Sequence, residues 1–152
     1  MSQPDIEAAI STYLKASALN AAATVNGRIY CGSAPQTDPA TGAPTAFPRI
    51  TFAVISDIPE HDMDGAAGIG NALVQIDVWA ITSPNRRTIA NAVKNAMDGI
   101  IGGTMGGLNV GCVLMKNERN TEEKPENASE ANLFRASMDF EIWKTEDIPT
   151  LT

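Results

Sequence analysis

The residues best equipped for chemistry in this 152-residue chain lie in one short run, Pro59-Glu-His-Asp-Met-Asp64. It holds the single histidine, His61, flanked by Glu60, Asp62 and Asp64. Imidazole and carboxylate oxygens suit several divalent ions. Successive residues of a hairpin loop converge on an ion only if the loop folds round it, and the spacing of a calcium loop is missing. The run is therefore read as a solvated acidic loop, and no metal or cofactor is expected. Gly65, Gly68 and Gly70 follow directly, but they lie between two predicted strands and open no helix, whereas a phosphate-cradling loop needs a helix N-terminus after it. Residues 102–107, Gly-Gly-Thr-Met-Gly-Gly, precede a strand and read as a connector on the same argument. No nucleophile elbow and no CxxC pair occurs. Cys31 and Cys112 each fall inside a predicted strand and read as reduced, partly buried thiols. A disulfide would require those two strands to be neighbours. Asp77, Asp139 and Glu141 sit on polar strand faces, where solvent or a subunit contact accounts for them. Trp79 and Trp143 also fall on the less apolar faces. A tryptophan placed so is either covered by a loop or used at an interface. No catalytic apparatus emerges, and no enzyme is expected.

The elements that carry these residues are legible from periodicity. Arg49–Ile58 is rich in β-branched and aromatic residues and reads as a strand. Ala72–Ile81 alternates, with Val74, Ile76, Val78 and Ala80 on one face and Gln75, Asp77 and Trp79 on the other. Ser83-Pro84 then reads as a helix start, the serine capping and the proline sitting where no N–H is needed. Ile89, Val93, Met97 and Ile100 follow on one helical face, and Gly102-Gly103 is the expected stop. Upstream, Pro4 to about Ala23 reads as a first helix with Ile6, Ile10, Tyr13 or Leu14, and Ser17 or Ala18 on its buried side. Arg28–Cys31 reads as a short strand. Downstream, Leu108 to about Glu118 reads as a strand with Leu108, Val110, Cys112 and Leu114 on one face. Asn132–Trp143 is the cleanest strand, with Phe134, Ala136, Met138, Phe140 and Ile142 on its apolar face. The predicted core comprises Phe134, Met138, Phe140, Val74, Ile76, Val78, Ile89, Val93 and Met97.

No regular βαβ alternation appears, so the expected fold is α+β: a single mostly antiparallel sheet of about five strands with two helices packed on one face. One domain is expected over residues 1–152, with mobile loops at about 32–47, 59–70 and 117–130 and a short C-terminal tail, 144–152. Residues 117–130 read as a loop or as a hairpin tip whose arms run on from the flanking strands. The hydrophobic content, 43%, suits one globular core. Apolar runs fall short of the ~20 residues a membrane span needs, and Met1–Glu7 shows no secretory pattern. The formal net charge of −7 argues against a monomeric nucleic-acid binder, whose affinity comes mainly from lysine and arginine. It is compatible with a passage through which DNA slides without sticking.

In their order, these elements resemble the tail terminator, or tail-completion, proteins of long-tailed bacteriophages, which join head to tail. The matching features are an N-terminal helix leading into Gly27-Arg-Ile-Tyr30, the strand entry Phe47-Pro-Arg-Ile-Thr-Phe52, and Ser56-Asp-Ile58. Then come a Gly-rich loop, Val74-Gln-Ile-Asp-Val-Trp-Ala80, the helix Ser83–Met97 and the closing strand Phe134–Trp143. The likeness runs from about Ile6 to Trp143. It implies a structural virion protein, assembled in the host cytoplasm. It implies self-association into a ring, usually a hexamer, that caps the head-proximal end of the tail tube, stops tube polymerisation and meets the neck proteins. Genomic DNA would pass through the lumen without sequence-specific binding, and no membrane partner is implied. A neck adaptor or head-closure role is the alternative, followed by a small ligand-binding domain or enzyme on the same fold. No functional residue carries over by motif, so the site expectations come from exposure. Arg86 and Arg87 oppose the dipole of their own helix, and they are expected to meet a neighbouring subunit's acids at Glu141, Glu146 and Asp147, with Trp143 in the same boundary. Glu60, His61, Asp62, Asp64, Gly65, Gly68 and Gly70 are expected to form a loop reaching the tube or the lumen.

Overall fold

A computed structural model gives the fold and describes residues 4–16, 25, 28–35, 47–124 and 132–149. Its elements run α1 (Ile6–Ala16), β1 (Ile29–Cys31), β2 (Arg49–Asp62), β3 (Gly65–Ala80), α2 (Ser83–Met97), β4 (Ile100–Met105), β5 (Leu108–Glu123) and β6 (Leu133–Thr145). The strands form one six-stranded curled sheet in the order β1-β2-β3-β6-β5-β4. The pairing of β1 with β2 is parallel and the other pairings are antiparallel. The architecture is α+β as expected, with one more strand and one parallel pair. The last strand in sequence, β6, lies in the middle of the sheet.

Alternation decides which face is buried. Even-numbered residues of β3 and β6, from Ala72 to Ala80 and from Ala136 to Ile142, are at 0% exposure. The inward residues Ile6, Ile10 and Leu14 of α1 and Ile89, Val93 and Met97 of α2 join them in one core. Of the predicted core, only Phe134 is half-buried rather than buried. The two helices are tied by the Tyr13 hydroxyl donating to the Ala96 carbonyl at 2.5 Å. Helix α1 touches both β1 and β4, so it fills the trough of the curled sheet. At Gly106, in the β4–β5 turn with φ +56°, an added Cβ would collide with the Ala9 carbonyl. Only glycine permits that approach of turn to helix.

Several boundaries differ from the sequence expectation, each for a physical reason. The region 59–70 is not a loop. It is the distal part of the β2–β3 ribbon, closed by Met63-Asp64, with Pro59 opposite Gly70 and Asp62 opposite Gly65. The Asp62 carboxylate accepts the Asp64 N–H at 2.8 Å and fixes the turn. Gly, Ala and Asp have low strand propensity, and cross-strand pairing supplied what propensity did not. Helix α2 stops at Met97 rather than at Gly102-Gly103. Asp98 is already extended, and Gly99, at φ +85°, turns the chain so that its N–H donates to the Val113 carbonyl. Ile100 therefore belongs to β4, and 102–105 form strand rather than connector. The cap of α2 is Thr82, whose Oγ1 accepts the Asn85 N–H at 3.3 Å; Ser83 is the first helical residue.

In β5, a register shift between Val110 and Cys112 turns the chain over, so Val113 and not Cys112 or Leu114 enters the core. Cys31, on the edge strand β1, is exposed rather than partly buried. Three strands separate β1 from β5, so Cys31 and Cys112 do not pair, and both thiols are free. The arms of β5 and β6 continue past residue 117 to Glu123 and from Leu133, the hairpin alternative. Parts of four expectations lie outside the described residues: 17–23 of the first helix, 36–46 of the long loop, 125–130 of the loop or hairpin tip, and 150–152 of the tail. Strand β6 runs to Thr145, so the tail begins later than expected. It stays attached at first, because the Glu146 N–H donates to the Gly68 carbonyl at 2.8 Å.

Candidate functional site

The outer face of the sheet carries the odd-numbered residues of β3 and β6. Strand register places Arg49, Trp79 and Arg135 side by side across β2, β3 and β6, and Thr51, Asp77 and Ser137 in the adjacent row. Within this grid Asp77 is 9% exposed and well partnered. Its Oδ1 accepts the Ser137 hydroxyl at 2.5 Å, and its Oδ2 accepts Arg135 Nη2 at 3.1 Å. Gln75 Nε2 donates to both oxygens. Trp79 Nε1 donates to Thr51 Oγ1 at 3.0 Å, and the Arg135 guanidinium lies over the indole at 4.7 Å. Arg49 stacks on the Phe47 ring at 4.2 Å. Beside Arg49 and Trp79 opens a cleft of about 350 Å³, also lined by Gly32, Ser33, Ala34, Thr51 and Asp77. The Nε atoms of Arg49 and Arg135 are buried without an acceptor. Burial lowers the Arg49 pKa, only partly offset by Tyr30.

At the other end of β3 and β6 the outer face is a lattice of exchanged charges. Glu141 accepts Trp143 Nε1 at 2.8 Å and Asn71 Nδ2 at 3.3 Å, and it pairs with Lys116 at 3.3 Å. Asp139 pairs with Arg119 at 3.0 Å. On the opposite, inward face at this end, Lys144 is only 6% exposed and bridges Glu146 at 2.6 Å and Asp57 at 3.1 Å. Burial alone would lower its pKa, yet the hydrogen bonds and attraction of Glu146 and Asp57 raise it. Trp143 borders a shallow apolar hollow with Ile69 and Gly111.

These positions revise the site expectations. Glu141 and Glu146 are engaged within their own chain and are not spare acids. Arg86, in the first turn of α2, lies over the Phe134 ring at 5.5 Å and donates to Ser83 Oγ. Arg87 is exposed beside it. Together they border a polar groove with Asn91, Lys94, Glu118 and Asn120. This groove is near Phe134 at the start of β6, whereas Glu141, Trp143, Glu146 and Asp147 lie near its end. The two sets are therefore brought to opposite ends of one strand and not together. Glu60, His61, Asp62, Asp64 and Gly65 are exposed at the ribbon tip, with Met63 fully exposed between them, while Gly68 and Gly70 are tucked against the tail. Among the described residues no group of three His, Cys, Asp or Glu is placed to hold a metal ion. No helix among them is long and apolar enough to cross a membrane.

Sequence reasoning passed over Arg49, Arg135 and Lys144. Arg49 opened a predicted strand and Arg135 lay on a polar face, so neither looked unusual. Lys144 carried a usable signal, since it continues the inward spacing of Phe140 and Ile142 by two residues. The geometry offers a polar, aromatic-lined face and a projecting acidic ribbon, which suit contact with other proteins.

The solved structures include a chain from the virion of a native gene transfer agent particle with the same fold. It superposes with a TM-score of 0.66 over 93% of this chain and 95% of that one, at 19% identity. Among curated proteins none matches. Residues 8–145 match the sequence model of the tail completion protein gp17 family. That match spans nearly the whole sheet and both helices, and the chain belongs to the tail completion protein gp17 family.

Proposed function

We propose that this protein is a ring-forming tail terminator. Copies of the chain close into a ring, as a hexamer, on the head-proximal end of the tail tube, stop tube polymerisation and join the tail to the neck of the capsid. Genomic DNA passes through the lumen, and an acidic chain of net charge −7 suits a channel that does not hold it. The family match over residues 8–145 carries the reading. A closed ring needs two different patches that meet head to tail. The Arg86–Arg87 groove and the Glu141–Asp147 end of β6 are such a pair, lying at opposite ends of one strand. Because Glu141 and Glu146 are already bonded within their chain, they enter the boundary only by sharing those bonds. The acidic ribbon from Glu60 to Gly65 reaches beyond its own protomer.

Polymerisation of tail tube protein with and without this chain tests the reading. Tubes of limited length bearing a ring at one end are expected. Tubes that keep growing at both ends in its presence would overturn it. Removing the gene separates the terminator from a neck adaptor: overlong tails follow from loss of a terminator, normal tails beside filled heads from loss of an adaptor.

A further inference from the structure

We propose that the cleft between Arg49 and Trp79 receives a carboxylate of the Glu60–Asp64 ribbon tip from a second copy of this chain. The inference rests on the ring reading and names one of its contacts. Its first support is an imbalance of donors. A buried N–H without an acceptor is unfavourable, and the Nε of Arg49, which lines the cleft, is in that state. Asp77 cannot satisfy it, because its oxygens are taken by Ser137, Arg135 Nη2 and Gln75. The grid of Arg49, Arg135 and Asp77 thus holds one positive charge in excess. Arg49 forms no ion pair among the described residues. A carboxylate is the acceptor that matches guanidinium donors in charge and geometry.

The second support is where the acids stand. Glu60, Asp62 and Asp64 are exposed at the ribbon tip, and no cation pairs with them among the described residues. The cleft sits at the Arg49–Trp79 end of the same ribbon, and the tip at the Asp62–Gly65 end. Thirteen residue steps along β2, from Arg49 to Asp62, separate them, roughly 40 Å along a strand. The tip of one protomer cannot reach its own cleft, so the complementary pair can meet only between copies. One copy gives its tip and the next gives its cleft, the head-to-tail relation a closed ring requires. Trp79 and Phe47 flank the arginines and exclude water around the contact, as aromatic residues do at interfaces.

The test uses the full chain and reads self-association by sedimentation equilibrium and native mass spectrometry. A tip variant, E60Q/D62N/D64N, changes only exposed residues. A cleft variant, Arg49→Gln, is checked for folding by its thermal melt. Each should weaken self-association about tenfold, and the combined variant no more than either alone, because both remove the same contact. Losses that multiply mean separate contacts and overturn the proposal. So does a tip variant that associates like wild type. If that variant associates normally but no longer caps tubes, the tip belongs to the tube protein instead. If Arg49→Gln lowers the melt and leaves association intact, the cleft serves an acid of its own chain. A wild-type chain that stays monomeric at every concentration, and also on tubes, overturns the ring reading itself.

Discussion

Replacing Phe140 with alanine is the sharpest test of the fold. Phe140 is fully buried at the centre of β6, opposite Val74 on β3 and Met115 on β5. Burying a phenylalanine side chain is worth about 1.5–3 kcal/mol in transfer free energy. Removing the ring leaves a cavity of about 100 Å³, which at ~24 cal/mol per Å³ adds about 2 kcal/mol. The central strand is hydrogen-bonded on both sides and cannot collapse into that space. A loss of about 4 kcal/mol is expected. For a chain of this size that corresponds to a fall in Tm of about 8–16 °C. Urea unfolding with an unchanged m-value, together with calorimetry, measures it. Phe134→Ala serves as the control, since Phe134 is only half-buried and should lose about half as much. A loss below about 1 kcal/mol for Phe140→Ala, or equal losses for the two, would refute the assignment of the inward face.

Three further outcomes are expected. Thr82→Ala should cost about 1 kcal/mol by removing the cap of α2, whereas Ser83→Ala should cost little; chemical denaturation of the two variants decides between the two caps. Lys144 has its pKa raised by Glu146 and Asp57, so its stabilising effect is complete below the unfolded value of ~10.4 and is lost as pH rises through the higher folded value. Unfolding measured from about pH 9 to pH 11.5 should therefore show wild type losing more stability than Lys144→Met. Replacing His61–Ala66 by Asn-Gly should move the Tm by no more than about 2 °C, because the removed residues bury almost nothing. The same change should impair tail completion, scored as infectious particles; a normal yield would show that the ribbon tip has no partner.

How much of this was legible depended on what each residue's neighbours could reveal. Strand β6 was readable because Phe134, Ala136, Met138, Phe140 and Ile142 alternate with polar residues without interruption. Helix α2 was readable at its start because proline and a hydroxyl residue mark it. Its end was misplaced because Ile100 keeps helical spacing, and only the bond from Gly99 to Val113 shows that the chain has already turned. Strand β4 was hidden by its glycines. The distal ribbon was hidden by its mixture of Gly, Ala and Asp, whose strand state comes from pairing rather than from propensity. The bulge before Cys112 reverses the faces of β5, which no alternation count detects. The polar grid was half legible. Asp77 and Trp79 were placed on the polar face, but Arg49 and Arg135 join them only through register between strands far apart in sequence.

The central position of β6 has a kinetic consequence. Val74 pairs across the sheet with Phe140, 66 residues later. Without β6, no strand pairing joins β1-β2-β3 to β4-β5. Contacts of such large sequence separation form slowly. Folding is therefore expected to be limited by the docking of this last long strand, which joins the two halves. A product truncated before Leu133 lacks the strand that joins them, and with it the buried row from Ala136 to Ile142. Such a fragment is expected not to reach the native fold, so the order of strands in the chain also acts as a check on completed synthesis.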